Sequence, residues 1–179
     1  YFGMQTTRIR LGQMANVIPF HNPLRLAEDI AMLDQMLQGR TFFGIARGYQ
    51  KRWADVLGQT YGVGGTMSDK SEVDAKNRRL FLEHYEIIKK AWTTDVFSHK
   101  SEHWTIPPDN LNFGHDVVNK FGKGQTPEGI VTHIGTAPKT FQKPHPPIFQ
   151  PFSFSEDTFR FCAREAIAPF ALSTCDETL

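Results

Sequence analysis

Two separated stretches of the sequence carry side chains that could bind an anion. Arg47 directly follows an apolar run, residues 41–46, and Ser155 and Thr158 open a predicted helix behind a second apolar run. A guanidinium offers a planar fork of donors to phosphate or carboxylate. A helix N-terminus adds free N–H groups and the positive end of the helix dipole. Each stretch could therefore bind an anion.

Each stretch also has a purely structural interpretation. Arg47 could form an internal ion pair or stay solvated. Ser155 could serve only as the N-cap of its helix. Glu156 and Asp157 would then favour the helix dipole, and they would oppose a phosphate. The residue types alone leave these interpretations open.

The first stretch is typical of a strand, a helix and a second strand. Residues 9–17 and 41–46 are short apolar runs of the kind that forms covered strands. Between them Asn22-Pro23 favours a helix start and Gly39 favours its end. Apolar residues lie on one face of that helix, at Leu26, Ile30, Leu33 and Leu37. We expect a parallel βαβ unit, which puts Arg47 just past the carboxyl end of a strand, where α/β folds keep their ligand sites.

The second half of the chain continues this alternation. Ser71 and Asp74 predict a capping box at the start of a long helix, with His84 as a buried, hydrogen-bonded residue on its apolar face. Residues 148–150 and 168–172 predict two further strands. Between them a helix begins at Ser155, and we place its apolar face at Phe159, Cys162, Ala163 and Ala166.

His99 and His103 formally fit the inverted zinc-protease motif H-x-x-E-H. That chemistry needs both histidines on one helical face. Residues 104–108, Trp-Thr-Ile-Pro-Pro, instead predict a short strand or hairpin. On a strand the two histidines would lie about 13 Å apart, too far to bind one metal. We therefore expect no metal site here.

Composition narrows the functional classes. The 179 residues are 40% hydrophobic and 22% charged, with a formal net charge of +1, which is typical of one globular domain. This charge gives no electrostatic reason to expect nucleic acid or an anionic membrane as a partner. Cys162 and Cys175 lack metal-binding or redox spacing, which favours a reducing compartment, the cytoplasm.

The amino-acid sequence of these stretches closely resembles that of the bacterial luciferase-like flavin monooxygenases. The first match comprises Arg8-Ile9-Arg10-Leu11-Gly12, His21-Asn22-Pro23-Leu24-Arg25-Leu26-Ala27-Glu28-Asp29, Leu33-Asp34-Gln35-Met36 with Gly39-Arg40, and Phe43-Gly44-Ile45-Ala46-Arg47-Gly48. The second match comprises Pro146-Pro147-Ile148-Phe149-Gln150, Ser155-Glu156-Asp157-Thr158 and Phe161-Cys162-Ala163-Arg164. The two matches occur in the family's order.

The resemblance implies part of an α/β TIM (β/α)₈ barrel, its third to sixth strand units. Residues 1–179 would form a single domain, with an irregular insertion at 109–143 over the barrel top. The glycines at 58, 62, 64 and 65 predict a mobile loop over residues 49–70, which would cover the barrel mouth. A complete barrel typically needs about 250 residues. A partial barrel leaves strand edges unpaired, so we expect a homo-oligomer or a paired subunit.

The resemblance also implies a function. Reduced FMN, supplied by a separate flavin reductase, would activate O₂ to oxidise a small organic substrate. Gln13 and Met14, at an unusual cis peptide or bulge, would support the flavin ring, and Ala46 would line it. Phosphate would be held by Arg47, the Phe154 N–H, Ser155 and Thr158. No catalytic base can be named.

Two alternatives and one departure from the family accompany this hypothesis. An F420-dependent hydride-transfer enzyme would use the same fold and a similar phosphate end. A flavin-binding or structural fragment without turnover is the other alternative. The luciferases proper carry a reactive cysteine at the position of Ala46, so light emission is not expected.

Overall fold

The computed structural model describes residues 1–151, 153 and 155–171. Its helices are α1 (Phe2–Gln5), α2 (Pro23–Met36), α3 (Lys51–Leu57), α4 (Glu72–Thr93), α5 (Asp116–Phe121) and α6 (Glu156–Glu165). Its strands are β1 (Asn16–Val17), β2 (Phe43–Ala46), β3 (His99–Lys100), β4 (Thr105–Ile106), β5 (Ile148–Gln150) and β6 (Ala168–Pro169). Within these residues, no helix combines the length and the apolar character that crossing a bilayer requires.

A parallel sheet of four strands, in the order β1-β2-β5-β6, forms the frame of the molecule. Asn16 of β1 lies opposite Ile45 of β2, and Phe43 of β2 lies opposite Ile148 of β5. Strands β3 and β4 form a separate antiparallel hairpin. The predicted α/β class with parallel strands is therefore confirmed. This order places the carboxyl ends of β2 and β5 side by side.

The hydrophobic core lies between the sheet and the helices. Phe43 and Ile45 of β2 are fully buried, as is Ile87 of α4. Burying a side chain of this size contributes roughly 1.5–3 kcal/mol. Helix α6 docks on α4 through Phe161, whose ring packs edge-on against Phe81 with centroids 5.6 Å apart. Phe161 thus joins α6 to α4 within the hydrophobic core.

Helix α2 begins and ends where the sequence predicts. The Asn22 Oδ1 accepts hydrogen bonds from the Leu24 N–H at 3.0 Å and the Arg25 N–H at 3.2 Å. Two of the unpaired N–H groups of the first turn are thereby satisfied. Beyond the helix, Gly39 adopts a φ of +82°, a conformation that glycine reaches without a Cβ penalty. The predicted βαβ unit is present.

The first strand is much shorter than the predicted residues 9–17. Only Asn16–Val17 forms a regular ladder, although Gly44 still donates its N–H to the Gln13 carbonyl at 3.1 Å. The Met14–Ala15 peptide bond is cis, one residue beyond the bend that the resemblance implies at Gln13-Met14. A Cβ on Gly44 would lie 2.2 Å from the Gln13 oxygen, so glycine is needed for this close approach.

The prediction of a loop over all of residues 49–70 was wrong. Residues 51–57 form α3, and a 3₁₀ turn follows over Gly58–Tyr61. The glycines that suggested a loop begin only at Gly58, whereas residues 51–57 contain neither glycine nor proline. An ion pair one turn apart, Lys51–Asp55 at 3.0 Å, further supports the helix.

The predicted apolar face of α6 was also wrong in part. Of its four residues only Cys162 is buried, because Phe159 is 37% exposed and Ala163 and Ala166 are exposed as well. The buried face comprises Thr158, Phe161 and Cys162. It includes the polar Thr158, which lies in the first turn and whose hydroxyl lies 2.9 Å from the Ser155 Oγ. Residue 172, the end of the last predicted strand, lies outside the described residues.

We expected the 109–143 insertion to lie over the carboxyl ends of the strands. The last part of this insertion does not lie there. Gln142 donates to the Thr41 carbonyl at 2.8 Å and to Asp34 Oδ1 at 2.8 Å. Lys139 donates to the Ala91 carbonyl at 2.8 Å, near the end of α4. Thr41 lies just before the first residue of β2, so the Gln142 contact is at the amino end of that strand. The chain must return to that end, because β5 runs parallel to β2.

Candidate active site

A hollow of about 260 Å³ opens at the carboxyl ends of β2 and β5. It is lined by Ala46, Arg47, Gly48, Tyr49, Thr66, Met67, Ser68, Gln150, Pro151, Ser155 and Thr158. Arg47 and the start of α6 thus face one cavity, although 107 residues separate Arg47 from Ser155 along the chain (155 − 47 − 1). The parallel pairing of β2 with β5 accounts for this meeting.

Ser155 is the N-cap of α6. Its Oγ accepts a hydrogen bond from the Thr158 N–H at 3.3 Å and lies 2.9 Å from the Thr158 Oγ1. The capping interpretation of Ser155 therefore holds, and both hydroxyls nevertheless line the hollow. Capping and anion binding are compatible here because a hydroxyl can accept one bond and donate another.

Arg47 is anchored by the protein at the edge of the hollow. Its Nη1 donates to the Asp74 Oδ1 at 2.7 Å, and its Nη2 donates to the Ser68 Oγ. The Arg47 side chain is 11% exposed and that of Asp74 is 6% exposed. An internal ion pair, one of the two structural interpretations of Arg47, is therefore present. A guanidinium carries five N–H donors, so these bonds do not exhaust its capacity.

The Asp74 carboxylate accepts hydrogen bonds from three residues, of which Arg47 is one. Its Oδ1 also accepts from the Thr66 Oγ1 at 2.8 Å, and its Oδ2 accepts from the Lys70 N–H at 3.2 Å. Burial opposes its ionisation, but the bonds from Thr66 and Arg47 outweigh this effect and hold the Asp74 pKa below its ordinary value.

Only half of the predicted capping box at α4 is present. The Ser71 Oγ accepts from the Asp74 N–H at 3.2 Å, as predicted. The Asp74 side chain does not return to the Ser71 N–H, which donates to Asp69 Oδ1 at 2.9 Å instead. The reason is that the Asp74 carboxylate is engaged by Arg47.

Arg78 is a candidate site residue that the sequence analysis missed. It lies one helical turn beyond Asp74 on α4 and lines a second hollow of about 220 Å³, which shares Ser68 and Ser155 with the first. Burial and the nearby charge of Arg47 lower the Arg78 pKa. Its Nη2 lies 3.9 Å from Asp157, whose side chain is 68% exposed, so this cation is only weakly compensated. Arg78 lies four residues after Asp74, and this helical spacing could have indicated that both side chains lie on the same face of α4.

The remaining predicted residues take different positions. Ala46 lines the first hollow, whereas Gln13 and Met14 do not. Met14 is 43% exposed and lies beside Gly44, two residues before Ala46 on the same face of β2. Phe154 lies outside the described residues, so its predicted N–H donor has no structural account.

The histidines of the H-x-x-E-H segment are closer together than predicted. The expected separation of 13 Å was wrong, because the chain turns between β3 and β4. His99 Nε2 lies 3.2 Å from Glu83 Oε1 and His103 Nδ1 lies 2.8 Å from Glu83 Oε2. Glu83 of α4 therefore fixes the hairpin to the outside of the helix. Within the described part of the chain, no group of three histidine, cysteine or acidic residues could hold a metal ion.

His84 is fully buried and satisfied, as predicted. The Ile18 carbonyl can only accept, so the His84 Nδ1, 2.9 Å away, carries the proton and donates it. The Nε2 then accepts from the Trp104 indole at 2.8 Å. Burial lowers the His84 pKa to about 4. Its role is to join the hairpin to the segment after β1.

Comparisons with known proteins agree with this architecture. A family model described as "Luciferase-like monooxygenase" matches residues 1–149. Among curated relatives, 3,6-diketocamphane 1,6-monooxygenase of Pseudomonas putida is 30% identical over 102 residues, 56% of this chain and 27% of the relative. The alkanal monooxygenase alpha chain of Photorhabdus laumondii is 33% identical over 129 residues, 70% of this chain and 30% of the relative.

Solved structures support the fold. A monooxygenase of Streptomyces bottropensis superposes with a TM-score of 0.64 at 23% identity, over 93% of this chain and 39% of that one. The oxygenating constituent of the Pseudomonas putida 3,6-diketocamphane monooxygenase, a type II Baeyer–Villiger monooxygenase in complex with FMN, superposes with a TM-score of 0.62 at 20% identity. This match covers 93% of the chain and 39% of the neighbour.

The matches cover a small share of each relative but a large share of this chain. The chain spans about a quarter to a third of the length of the curated relatives that it matches. The family model nevertheless covers 149 of the 179 residues, well over half of the chain. The protein belongs to the luciferase-like monooxygenase family.

Proposed function

We propose that this chain carries the FMN phosphate site of a two-component flavin monooxygenase. The reduced flavin would come from a separate reductase, and O₂ would oxidise a small organic substrate. The observation that carries the proposal is the single hollow shared by Arg47, Ser155 and Thr158. A structural neighbour that was solved in complex with FMN supports the choice of this flavin.

The residues of the site suit a phosphate group. Arg47 and Arg78 contribute guanidinium donors, and Ser155 and Thr158 contribute hydroxyls at the N-terminus of α6. The free N–H groups and dipole of that helix also favour an anion. In this proposal Arg47 is held in place by Asp74, while the weakly compensated Arg78 contributes most of the net positive charge. The N–H of Phe154 stays a further predicted donor.

The apolar part of the site suits the rest of the flavin. Ala46, Met67 and Pro151 line the same hollow as the polar residues. We assign the ring end to Ala46 together with Gln13 and Met14, which lie along the neighbouring segment. Bound reduced flavin supplies the electrons for activating O₂. This chain's residues would bind and orient the flavin and exclude water from it.

The separate reductase and the paired subunit are proposed by analogy. One structural neighbour is described as the "oxygenating constituent" of its monooxygenase, which indicates a second component in that system. Curated relatives include both an alpha chain and a beta chain of alkanal monooxygenase. For this chain we infer a reductase partner and either a homo-oligomer or a paired subunit.

A flavin-binding titration tests the proposal. FMN should bind at least tenfold more tightly than riboflavin, because only FMN carries the phosphate. Arg78→Gln should weaken FMN binding about 10- to 100-fold, the value of a charge-assisted hydrogen bond, and should change riboflavin binding little. Arg160→Gln, which removes an exposed cation paired with Glu156 at 2.6 Å on the same helix, is the matched control.

Two further measurements distinguish the alternatives. Absorption spectra after reconstitution with F420 or FMN show which cofactor is retained. Oxygen consumption coupled to NADH and a flavin reductase shows turnover, both in this chain and in any longer form of the protein that contains it. Equal affinity for FMN and riboflavin would refute the proposal that this site holds the FMN phosphate. FMN binding without oxygen consumption in either form would favour a flavin-binding protein without turnover.

A further inference from the structure

We propose that Asp74 is a positioning residue of this anion site, a role that rests on the proposed function. Asp74 would not touch the phosphate itself. It would hold the Arg47 guanidinium and the segment of residues 66–70, here called the strap, in the geometry that recognises a phosphate. Three segments meet at its carboxylate: the end of β2, the strap and the start of α4.

The strap depends on Asp74 for its conformation. Ser68 and Lys70 adopt positive φ values of 61° and 60°, which non-glycine residues rarely occupy. Each such residue costs about 1 kcal/mol or more and persists only where the surroundings hold it. The bonds from Thr66 Oγ1 and the Lys70 N–H to Asp74 span the strap and supply that restraint. Ser68, at its centre, lines both hollows and accepts a bond from Arg47.

The Arg47 guanidinium likewise depends on Asp74. With 11% of its side chain exposed, Arg47 has little solvent to compensate its charge if the carboxylate is removed. An uncompensated buried charge is costly, so the arginine would turn away towards water. The donor fork and Ser68 would then leave the hollow together. The positioning effect of Asp74 is thus larger than the contribution of a single hydrogen bond.

Electrostatic repulsion between the Asp74 carboxylate and a bound phosphate opposes this positioning effect. A carboxylate near a phosphate repels it, so removing Asp74 could instead tighten anion binding. Asp157 provides the comparison, because it faces Arg78 of the same site at 3.9 Å but is 68% exposed. Asp157 can act on the phosphate mainly through its charge, whereas Asp74 organises the site. The two carboxylates should therefore have opposite effects.

The test compares Asp74→Asn with Asp157→Asn in titrations with FMN, riboflavin and inorganic phosphate. Asparagine keeps the size of Asp74 but turns an N–H group, instead of an acceptor, towards the Lys70 N–H or Arg47. We expect at least a tenfold loss of FMN affinity and less than a threefold change for riboflavin. Asp157→Asn should tighten FMN binding slightly. Asp95→Asn, which removes an exposed partner of Lys123, should change neither affinity.

Each result has a definite meaning. Unchanged FMN binding by Asp74→Asn would overturn the positioning role, and tighter binding would in addition show that Asp74 competes with the phosphate. Equal losses for FMN and riboflavin would also overturn it, since they indicate general disruption. If the variant does not fold, Thr66→Val removes one bond to the same carboxylate and should produce a smaller loss in the same direction. No loss in Thr66→Val would then overturn the proposal.

Inorganic phosphate separates this inference from the proposed function. Suppose that phosphate raises the thermal unfolding temperature of the natural protein, while FMN binds no better than riboflavin. The flavin function would then fail, and Asp74 would still be tested by whether its asparagine variant loses the phosphate effect. If neither phosphate nor FMN binds the natural protein, both proposals are refuted.

Discussion

His84 should make the stability of this protein fall steeply between pH 7 and pH 5. The residue is fully buried, and its pKa is lowered from 6.5 to about 4 by desolvation. The unfolded chain therefore binds a proton in this window that the folded chain rejects, and the free energy of unfolding decreases as the pH falls. From these two pKa values, the loss between pH 7 and pH 5 is about 2 kcal/mol.

Urea unfolding at several pH values measures this effect. The free energy of unfolding, followed by circular dichroism, should fall by about 2 kcal/mol between pH 7 and pH 5 because of His84 alone. His84→Gln should be less stable at pH 7, since it disturbs the bonds to Ile18 and Trp104, but its pH dependence should be flatter by that amount. His133→Gln, at an exposed position, should keep the natural slope.

The refuting result is a slope in His84→Gln that matches the natural protein. It would mean that His84 is not the group that resists protonation, or that the unfolded state does not titrate normally. Carboxylates with lowered pKa values, such as Asp74 and Glu165, lose their contribution mainly at lower pH. They do not obscure the window above pH 5.

Two further predictions concern a glycine and a cysteine. Gly44→Ala should destabilise the protein by about 2 kcal/mol or more in urea unfolding, because its Cβ would meet the Gln13 carbonyl at 2.2 Å. Gly114→Ala, whose nearest neighbour would be 3.7 Å away, should have little effect, and equal losses in both variants would contradict the steric argument. Burial raises the Cys162 pKa to about 11, so in a Cys175→Ser background a thiol reagent should react with it only as fast as the protein unfolds. Rapid labelling of the native protein at pH 8 would contradict this.

The local chemistry of helix starts could be predicted from the sequence. Asn22, Ser71 and Ser155 each cap the helix that was predicted to follow them. Capping depends on residues within one helical turn, so a few neighbouring residues of the sequence are enough to predict it. The same holds for the parallel unit around α2, whose apolar spacing and flanking Asn-Pro and Gly agree with one another.

Features that depend on distant partners could not be predicted in this way. The sequence marked Arg47 but not Asp74 as its partner, because 26 residues of loop and helix separate them (74 − 47 − 1). Arg78 escaped notice for the same reason, since its role follows only once Asp74 is placed. The hairpin that brings His99 and His103 to Glu83 also depends on tertiary packing, which periodicity does not encode.

The buried pair of Arg47 and Asp74 has a consequence for anyone who wishes to redesign the cavity for an uncharged guest. Removing one member alone leaves its partner stranded in a dry environment, at a cost of about 3–5 kcal/mol. Replacing both together avoids this stranded charge. The Thr66 hydroxyl and the Lys70 N–H would still lose their acceptor, so the strap must be redesigned with the pair. Combinatorial libraries should therefore vary positions 47 and 74 jointly, because each single substitution gives a destabilised protein with an unpaired buried charge.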